Sequence, residues 1–175
     1  RPLLWVVTPV IGEPSEVWIL RQIAGLTAFD VEVLAWRDVR DPDMEPDLVV
    51  HEMRQPPPAR RFDKGLSKWG ARVVRLPQCN FLAAGPGEVS TLARLAKTRM
   101  PDAVLCHFGF TALRMLPVCR RLGVPLVVHF HGVDLSSALG NRWYRWSLHA
   151  KLHHFDAMIA GNRCVRRDAE LLDDH

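Results

Sequence analysis

Apolar positions along this chain recur in two rhythms, and the alternation between them lays out a fold. Leu3-Leu4-Trp5-Val6-Val7-Thr8 is a continuous apolar run, suited to a strand buried on both faces. Pro9 to Ser15 holds two prolines and Gly12 and is expected to be a loop. Pro14 or Ser15 then opens a helix, in which Val17, Leu20, Ile23, Ala24 and Thr27 recur at helical spacing. Val31-Glu32-Val33-Leu34-Ala35-Trp36 completes a strand-helix-strand unit with a right-handed crossover. Arg37 to Pro58, rich in Asp and Pro, reads mostly as loop, with one strand candidate at Leu48-Val49-Val50. Arg60 to Gly70 is expected to be a basic helix, Arg72 to Leu76 a short strand and Gly85-Pro86-Gly87 a breaker. Glu88 to Arg99 returns to helical spacing through Val89, Leu92, Leu95 and Ala96, and Met100-Pro101 closes it.

The second half repeats the alternation. Ala103-Val104-Leu105-Cys106 is a buried strand that delivers His107-Phe108-Gly109 at its carboxyl end. Ala112, Met115, Leu116 and Cys119 mark the following helix, which Pro117 is expected to kink. Gly123-Val124-Pro125 feeds a strand that runs into His129-Phe130-His131-Gly132-Val133-Asp134. Asn141 to His154 is a helix heavy in Trp and Arg, Asp156 to Ala160 a last strand, and Asn162 the cap of a closing helix, Arg163 to Leu172. This order predicts an α/β domain over residues 1–175: a Rossmann-like, doubly wound, mostly parallel sheet with helices on both faces.

In such a sheet, ligands sit at the carboxyl ends of strands. Side chains alternate along a strand, so His129 and His131 should point one way and Phe130 the other. Gly132 permits a sharp turn or a close approach to a ligand, and Asp134 can hydrogen-bond a hydroxyl or cap the next element. His129, His131, Asp134 and His107 have the chemistry of metal ligands. His-x-His at a strand end is also found in barrel hydrolases, but that barrel needs about 250 residues. The expectation is therefore no metal, with His129 a satisfied core histidine and His131 a functional one. The first loop lacks Gly-x-Gly-x-x-Gly, and Gly-Lys-Ser/Thr is absent throughout. Gly12 at a helix start can still turn backbone N–H groups toward a phosphate.

Composition narrows the class. The chain has 175 residues, 48% hydrophobic and 24% charged. A domain of this size buries roughly 70% of its unfolded surface, which excludes disorder and any need for staples. Cys79, Cys106, Cys119 and Cys164 form no Cys-x-x-Cys pair and read as reduced, structural thiols of a cytosolic protein. No apolar run reaches the roughly 18 residues of a membrane span, and Leu3 to Val7 is too short for a signal-peptide core. Arg1 is not an initiator methionine, so the chain is expected to be part of a longer protein.

The net charge of +4 is unevenly spread. Asp30 to Glu52 holds eight acidic residues against Arg37 and Arg40, whereas Arg60 to Arg75 holds six basic residues against Asp63. Arg142 to Arg167 again has six basic residues against Asp156, interleaved with Trp143, Tyr144 and Trp146. Basic residues among aromatics suit phosphate-bearing lipid headgroups or nucleic acid; the alternative is an ordinary solvated helix face.

Three segments together resemble a known family: Pro9 through Leu26, with Ser15-Glu16 before the helix; Cys106-His107-Phe108-Gly109; and His129-Phe130-His131-Gly132-Val133-Asp134-Leu135-Ser136. The chain is similar to the amino-terminal domain of glycosyltransferase family 4, retaining nucleotide-sugar enzymes of the GT-B fold, and within it to the bacterial exopolysaccharide or colanic-acid type. The resemblance implies that His131 reaches the transferred sugar and that Asp134 helps orient sugar or acceptor, the two catalytic candidates. It implies that the Gly12 loop faces the donor diphosphate, that Glu16, His107, Phe108 and Gly109 line the acceptor side of the cleft, and that Gly132, beside His131, binds substrate. The family commonly has two adjacent glycines in the first loop, where this chain has Gly12 alone, and many relatives have a histidine where Leu105 stands.

The resemblance also implies partners: a nucleotide-sugar donor held mainly by a second, carboxyl-terminal domain absent from this chain, and a lipid-linked or other saccharide acceptor. It implies no cofactor and no nucleic acid. A cytoplasmic location is expected, peripheral at an anionic inner membrane face, with the isolated chain inactive. A competing reading is a non-catalytic, flavodoxin-like binding module using the same strand-end crevice. A metal-dependent hydrolase is a third.

Overall fold

Six strands pair side by side in parallel, in the computed structural model, which describes residues 1–41, 47–53 and 84–161. They are β1 (Leu3–Ile11), β2 (Asp30–Asp38), β3 (Val49–Glu52), β4 (Ala103–His107), β5 (Leu126–Phe130) and β6 (Ala157–Ala160). The sheet order is β3-β2-β1-β4-β5-β6, with every pairing parallel. Helices α1 (Val17–Gly25), α2 (Pro86–Thr98), α3 (Gly109–Leu122) and α4 (Arg142–Lys151) lie between them in sequence. The chain winds outward from β1 to β3, then resumes at β4 on the other side of β1. That order is the dinucleotide-binding type of doubly wound sheet rather than the flavodoxin order, and its direction reverses between β1 and β4.

Alternation along the strands builds two cores. Leu3, Trp5 and Val7 of β1 join Val104, Cys106, Val128 and Phe130 on the face that carries Leu92 of α2, Met115 of α3 and Leu148 of α4. Leu4, Val6 and Ile11 join Val33, Ala35 and Leu105 on the other face, under Ile19 and Ile23 of α1. A strand buried on both sides must be apolar at every position, which is why β1 shows no alternation in sequence. Each such large side chain contributes about 1.5–3 kcal/mol by leaving water.

Several boundaries differ from the sequence expectation, each for a physical reason. β1 continues through Pro9 to Ile11 instead of ending at Thr8. Its ladder to β4 stops at Val7 while its ladder to β2 runs on to Ile11, so the prolyl nitrogen faces a side with no ladder bond to lose. The helix after Gly12 begins as a 3-10 turn, Pro14–Glu16, with Pro14 in its first turn and no side-chain cap from Ser15. Of the expected stripe Val17, Leu20, Ile23, Ala24 and Thr27, Ile23 is buried and Leu20 packs partly buried beside it, but Val17 and Ala24 are exposed and Ile19 takes the other buried position. Gly85-Pro86-Gly87 opens α2 rather than breaking the chain, with Gly85 as N-cap and Glu88 Oε2 accepting from its N–H at 2.6 Å. Pro117 lies inside α3, which continues to Leu122 and ends on Gly123 in the left-handed region. Asn141 caps α4 by accepting from Trp143 and Tyr144 N–H. The expected helix at 60–70, the strand at 72–76, Cys79, the Asn162 cap, the helix at 163–172 and Cys164 lie outside the described residues. Cys106 and Cys119 are free and buried, as structural thiols should be.

Candidate active site

Three strand ends meet at the reversal point. β1 ends at Ile11 and Gly12, β4 at His107 and β5 at Phe130, with His131 immediately beyond. His107 and His129 are register partners across the β4–β5 ladder. His129 and His131 share the α1 face while Phe130 turns into the opposite core, as alternation requires. The three imidazoles therefore cluster. His107 Nδ1 is 3.4 Å from His131 Nε2, and the His129 and His131 rings lie 4.3 Å apart. Trp18 of α1 covers all three, its ring 4.2 Å from that of His131 and 5.2 Å from that of His107. Gln22, one turn further along α1, holds His129 through Oε1 at 3.2 Å from Nδ1.

Burial sets the charge of the cluster. His107 is fully enclosed, and burial, reinforced by His129 and His131, pushes its pKa down to about 3. Burial and His129 push His131 down to about 4, and burial lowers His129 as well. At neutral pH all three are uncharged. Each ring then offers one N–H and one lone pair. His107 Nε2 has no hydrogen-bond partner among the described residues.

Asp134 holds the loop against the β4 end. It is completely buried; Oδ2 accepts from His131 N–H at 2.9 Å, and Oδ1 accepts from Gly109 N–H at 3.0 Å and from the Tyr144 hydroxyl at 3.4 Å. Burial raises its pKa to about 6, against the pull of those three donors, and burial likewise raises Tyr144. One carboxylate thus fixes the backbone of His131, the first residue of α3 and the side of α4. Its charge also faces the positive end of α3.

Two backbone conformations around the cluster depart from the ordinary. Phe108 has φ 71, a left-handed conformation that a bulky residue adopts only when its surroundings hold it there. Its buried ring packs on His131 at 4.8 Å and on Phe110 at 5.4 Å. Gly12 has φ 91, and a Cβ there would stand 2.6 Å from the Arg40 backbone nitrogen. The loop after β2 therefore requires this glycine, whatever ligand it meets.

A model of the glycosyl transferase 4-like domain matches residues 15–173. The chain belongs to that family. No curated protein sequence matches it at a significant level. Among solved structures, a UDP-N-acetylglucosamine 2-epimerase superposes with a TM-score of 0.55 at 12% identity, over 99% of this chain and 45% of the epimerase. Spinosyn rhamnosyltransferase complexed with thymidine diphosphate gives 0.46 at 15% identity, over 91% of this chain and 45% of that one. Phytolacca americana UGT2 complexed with UDP-2fluoro-glucose and pterostilbene gives 0.46 at 17%, over 74% of this chain and 30% of that one. The epimerase likeness concerns the fold alone, and the chain spans less than half the length of each of these proteins.

Within this glycosyl transferase 4-like domain, the structure gathers most of the residues singled out in sequence and separates their settings. His107, Phe108 and His131 lie in the cluster, and His129, expected to be a satisfied core residue, lies there too, only partly buried. Glu16 sits at the start of α1, two residues from Trp18; Oε2 is buried with no partner among the described residues, and burial, then Glu13, raises its pKa. Gly132 is exposed, and a Cβ there would meet nothing within 4 Å among the described residues. Gly109, expected to line the cleft, is buried: its N–H is taken by Asp134, and a Cβ would overlap the Tyr144 hydroxyl and Phe130. Its glycine is a packing requirement. Sequence reasoning misses Trp18 and Gln22, although their spacing of four places both on one helix face. In sequence Tyr144 stands out only as part of a basic aromatic stretch.

Among the described residues no helix is long and apolar enough to cross a membrane.

Proposed function

We propose that this glycosyl transferase 4-like domain is the acceptor-side half of a retaining glycosyltransferase that moves a sugar from a nucleotide-sugar donor to a lipid-linked saccharide in bacterial polysaccharide synthesis. The observation that carries the reading is the neutral, half-buried His131 at the sheet's reversal point, its backbone locked by Asp134. Departure of a nucleoside diphosphate leaves positive charge on the sugar and negative charge on the phosphates, so groups preorganised around both help most. His131 is positioned to hydrogen-bond the transferred sugar, and Asp134 serves as its positioning residue. Glu16, with an oxygen that has no partner among the described residues, is suited to accept from a substrate hydroxyl. The Gly12 loop and the start of α1 offer backbone N–H groups for the diphosphate.

A second domain supplies the remaining donor contacts, and the two close over the substrates. One well-placed donor is worth about 3–4 kcal/mol, against at least roughly 8 kcal/mol for a millionfold acceleration. The isolated chain is therefore inactive on this reading. In the full enzyme, His131→Ala lowers turnover about a hundredfold or more; unchanged turnover would remove the assignment.

α4 supports the membrane-facing part of the reading. Arg142, Arg145, Trp146 and His149 recur at three- and four-residue spacing on its exposed side, with Trp146 67% exposed, while Tyr144 and Leu148 face the core. A basic stripe carrying an exposed indole suits a peripheral contact with anionic lipid. Sedimentation with anionic vesicles should exceed that with neutral ones, and Trp146→Ser should weaken it; equal sedimentation rejects this part.

A further inference from the structure

We propose that His107, His129 and His131 together bind one divalent transition-metal ion of the zinc type. Each offers one ring nitrogen, and the three ligand atoms lie within 4.8 Å of one another. His107 Nδ1 and His131 Nε2 already stand 3.4 Å apart. Two nitrogens bound to one tetrahedral ion at about 2.0–2.1 Å are separated by about 3.3 Å. A modest ring rotation at the remaining positions completes the set.

The surroundings are those of a metal site. Two facing neutral imidazoles can share only one N–H, and His107 Nε2 has no other partner among the described residues, so the ring is poorly satisfied for a group that is fully buried. A cation between the rings takes the lone pairs that face one another, with His107 bound through Nδ1 and its Nε2 carrying that ring's N–H. Gln22 orients the His129 ring and Trp18 lies over His131, outer contacts that fix ligand direction. Imidazole nitrogens select zinc, copper or nickel, whereas magnesium and calcium take oxygen ligands. Three protein ligands leave a fourth position open, as in zinc sites that exchange ligands.

This goes beyond the sequence expectation of no metal, and binding itself is independent of the transferase reading. Its consequence rests on that reading: an ion here takes the His131 ring nitrogen that meets the sugar, so the metal is an inhibitor of transfer.

The test strips the chain with a chelator and titrates it with Zn²⁺ against a chromophoric indicator, with Co²⁺ as a spectroscopic probe of tetrahedral nitrogen ligation. One equivalent of Zn²⁺ is expected, undisturbed by excess Mg²⁺. His107→Ala should raise the Kd about a hundredfold or more, and Gln22→Ala about tenfold. His153→Ala should leave it unchanged. Circular dichroism melts check folding; if His107→Ala does not fold, His131→Ala, at a less buried position, carries the same test. No stoichiometric Zn²⁺ on the wild-type chain, or retention unaffected by His131→Ala, overturns the site. Zn²⁺ bound through these histidines without inhibition of the full-length enzyme leaves the metal site standing and removes the role given to His131.

Discussion

Two buried polar centres lie at the carboxyl edge of the sheet, and they are built on opposite principles. At Glu88, only 1% exposed, every acceptor is used: Trp36 Nε1 donates to Oε1, Gly85 N–H donates to Oε2, and Arg114 spans both oxygens from 2.5 to 3.1 Å. The Arg114 guanidinium also lies over the Trp36 ring at 5.2 Å. β2, α2 and α3 are pinned together by one satisfied carboxylate. The histidine cluster, by contrast, holds three uncharged rings facing one another, and among the described residues both a buried histidine nitrogen and an oxygen of Glu16 have no partner. Buried polar groups that are fully paired fix a structure; those left short of partners are placed for something else to meet. Asp134 belongs to the first class although it touches the second.

That contrast orders the expected stability changes. The largest is Glu88→Ala, which strands Arg114 and should cost about 3–5 kcal/mol in urea unfolding. Pairing it with Arg114→Met should cost less than the sum of the single changes, because no charge is then left buried. Additive losses would mean that the two groups do not act as a pair.

Next is pH. In a chelated sample the unfolded histidines take up protons near pH 6.5, while His107 resists until about 3 and His131 until about 4. The unfolded state thus binds more protons across this window, and stability falls as pH falls. His107 alone should contribute a loss of about 2 kcal/mol between pH 7 and pH 5. Asp134 works in the opposite direction, since its folded pKa near 6 lies above the ordinary 3.8 and its protonation below pH 6 favours the fold. It offsets roughly 1 kcal/mol at pH 5. His107→Phe should flatten the slope; an unchanged slope would show that this ring does not carry it.

Asp134→Asn should cost about 1–3 kcal/mol, because the amide can present an oxygen to only one side and leaves a backbone N–H facing an N–H₂ group. Gly109→Ala should cost about 1–3 kcal/mol by forcing a methyl against Tyr144 and Phe130. In a Tyr144→Phe background the penalty should shrink. The smallest change is expected at His131→Ala, within about 1 kcal/mol, since the site loses a poorly satisfied ring. A large loss there would place His131 with the scaffold and end the contrast.

Much of this is legible in the residues. Continuous apolar runs name β1, β4 and β5, helical spacing names α2 and α3, and their alternation names the doubly wound sheet. Period-two alternation puts His129 and His131 on one face, and the family resemblance to glycosyltransferase family 4 agrees with the matched domain model. Boundaries are less legible because they depend on neighbours. Pro9 looks like a strand breaker until the β4 ladder is seen to stop at Val7, and Gly85-Pro86-Gly87 reads as a break until Glu88 turns back to close it. Gly12 and Gly109 invite a ligand in sequence, yet Arg40 and Tyr144 already account for them.

Local period and burial settle which segments are covered on both faces, where each strand hands over to a polar loop, and that two of the histidines share a side; all of this can be read from neighbouring residues. Packing alone brings His107 to join them, closes Trp18 and Gln22 over them and makes Asp134 a clamp, since each depends on residues 22 to 113 positions apart meeting at one edge of the sheet. Strand order sets those meetings, and strand order is a property of the packed sheet as a whole.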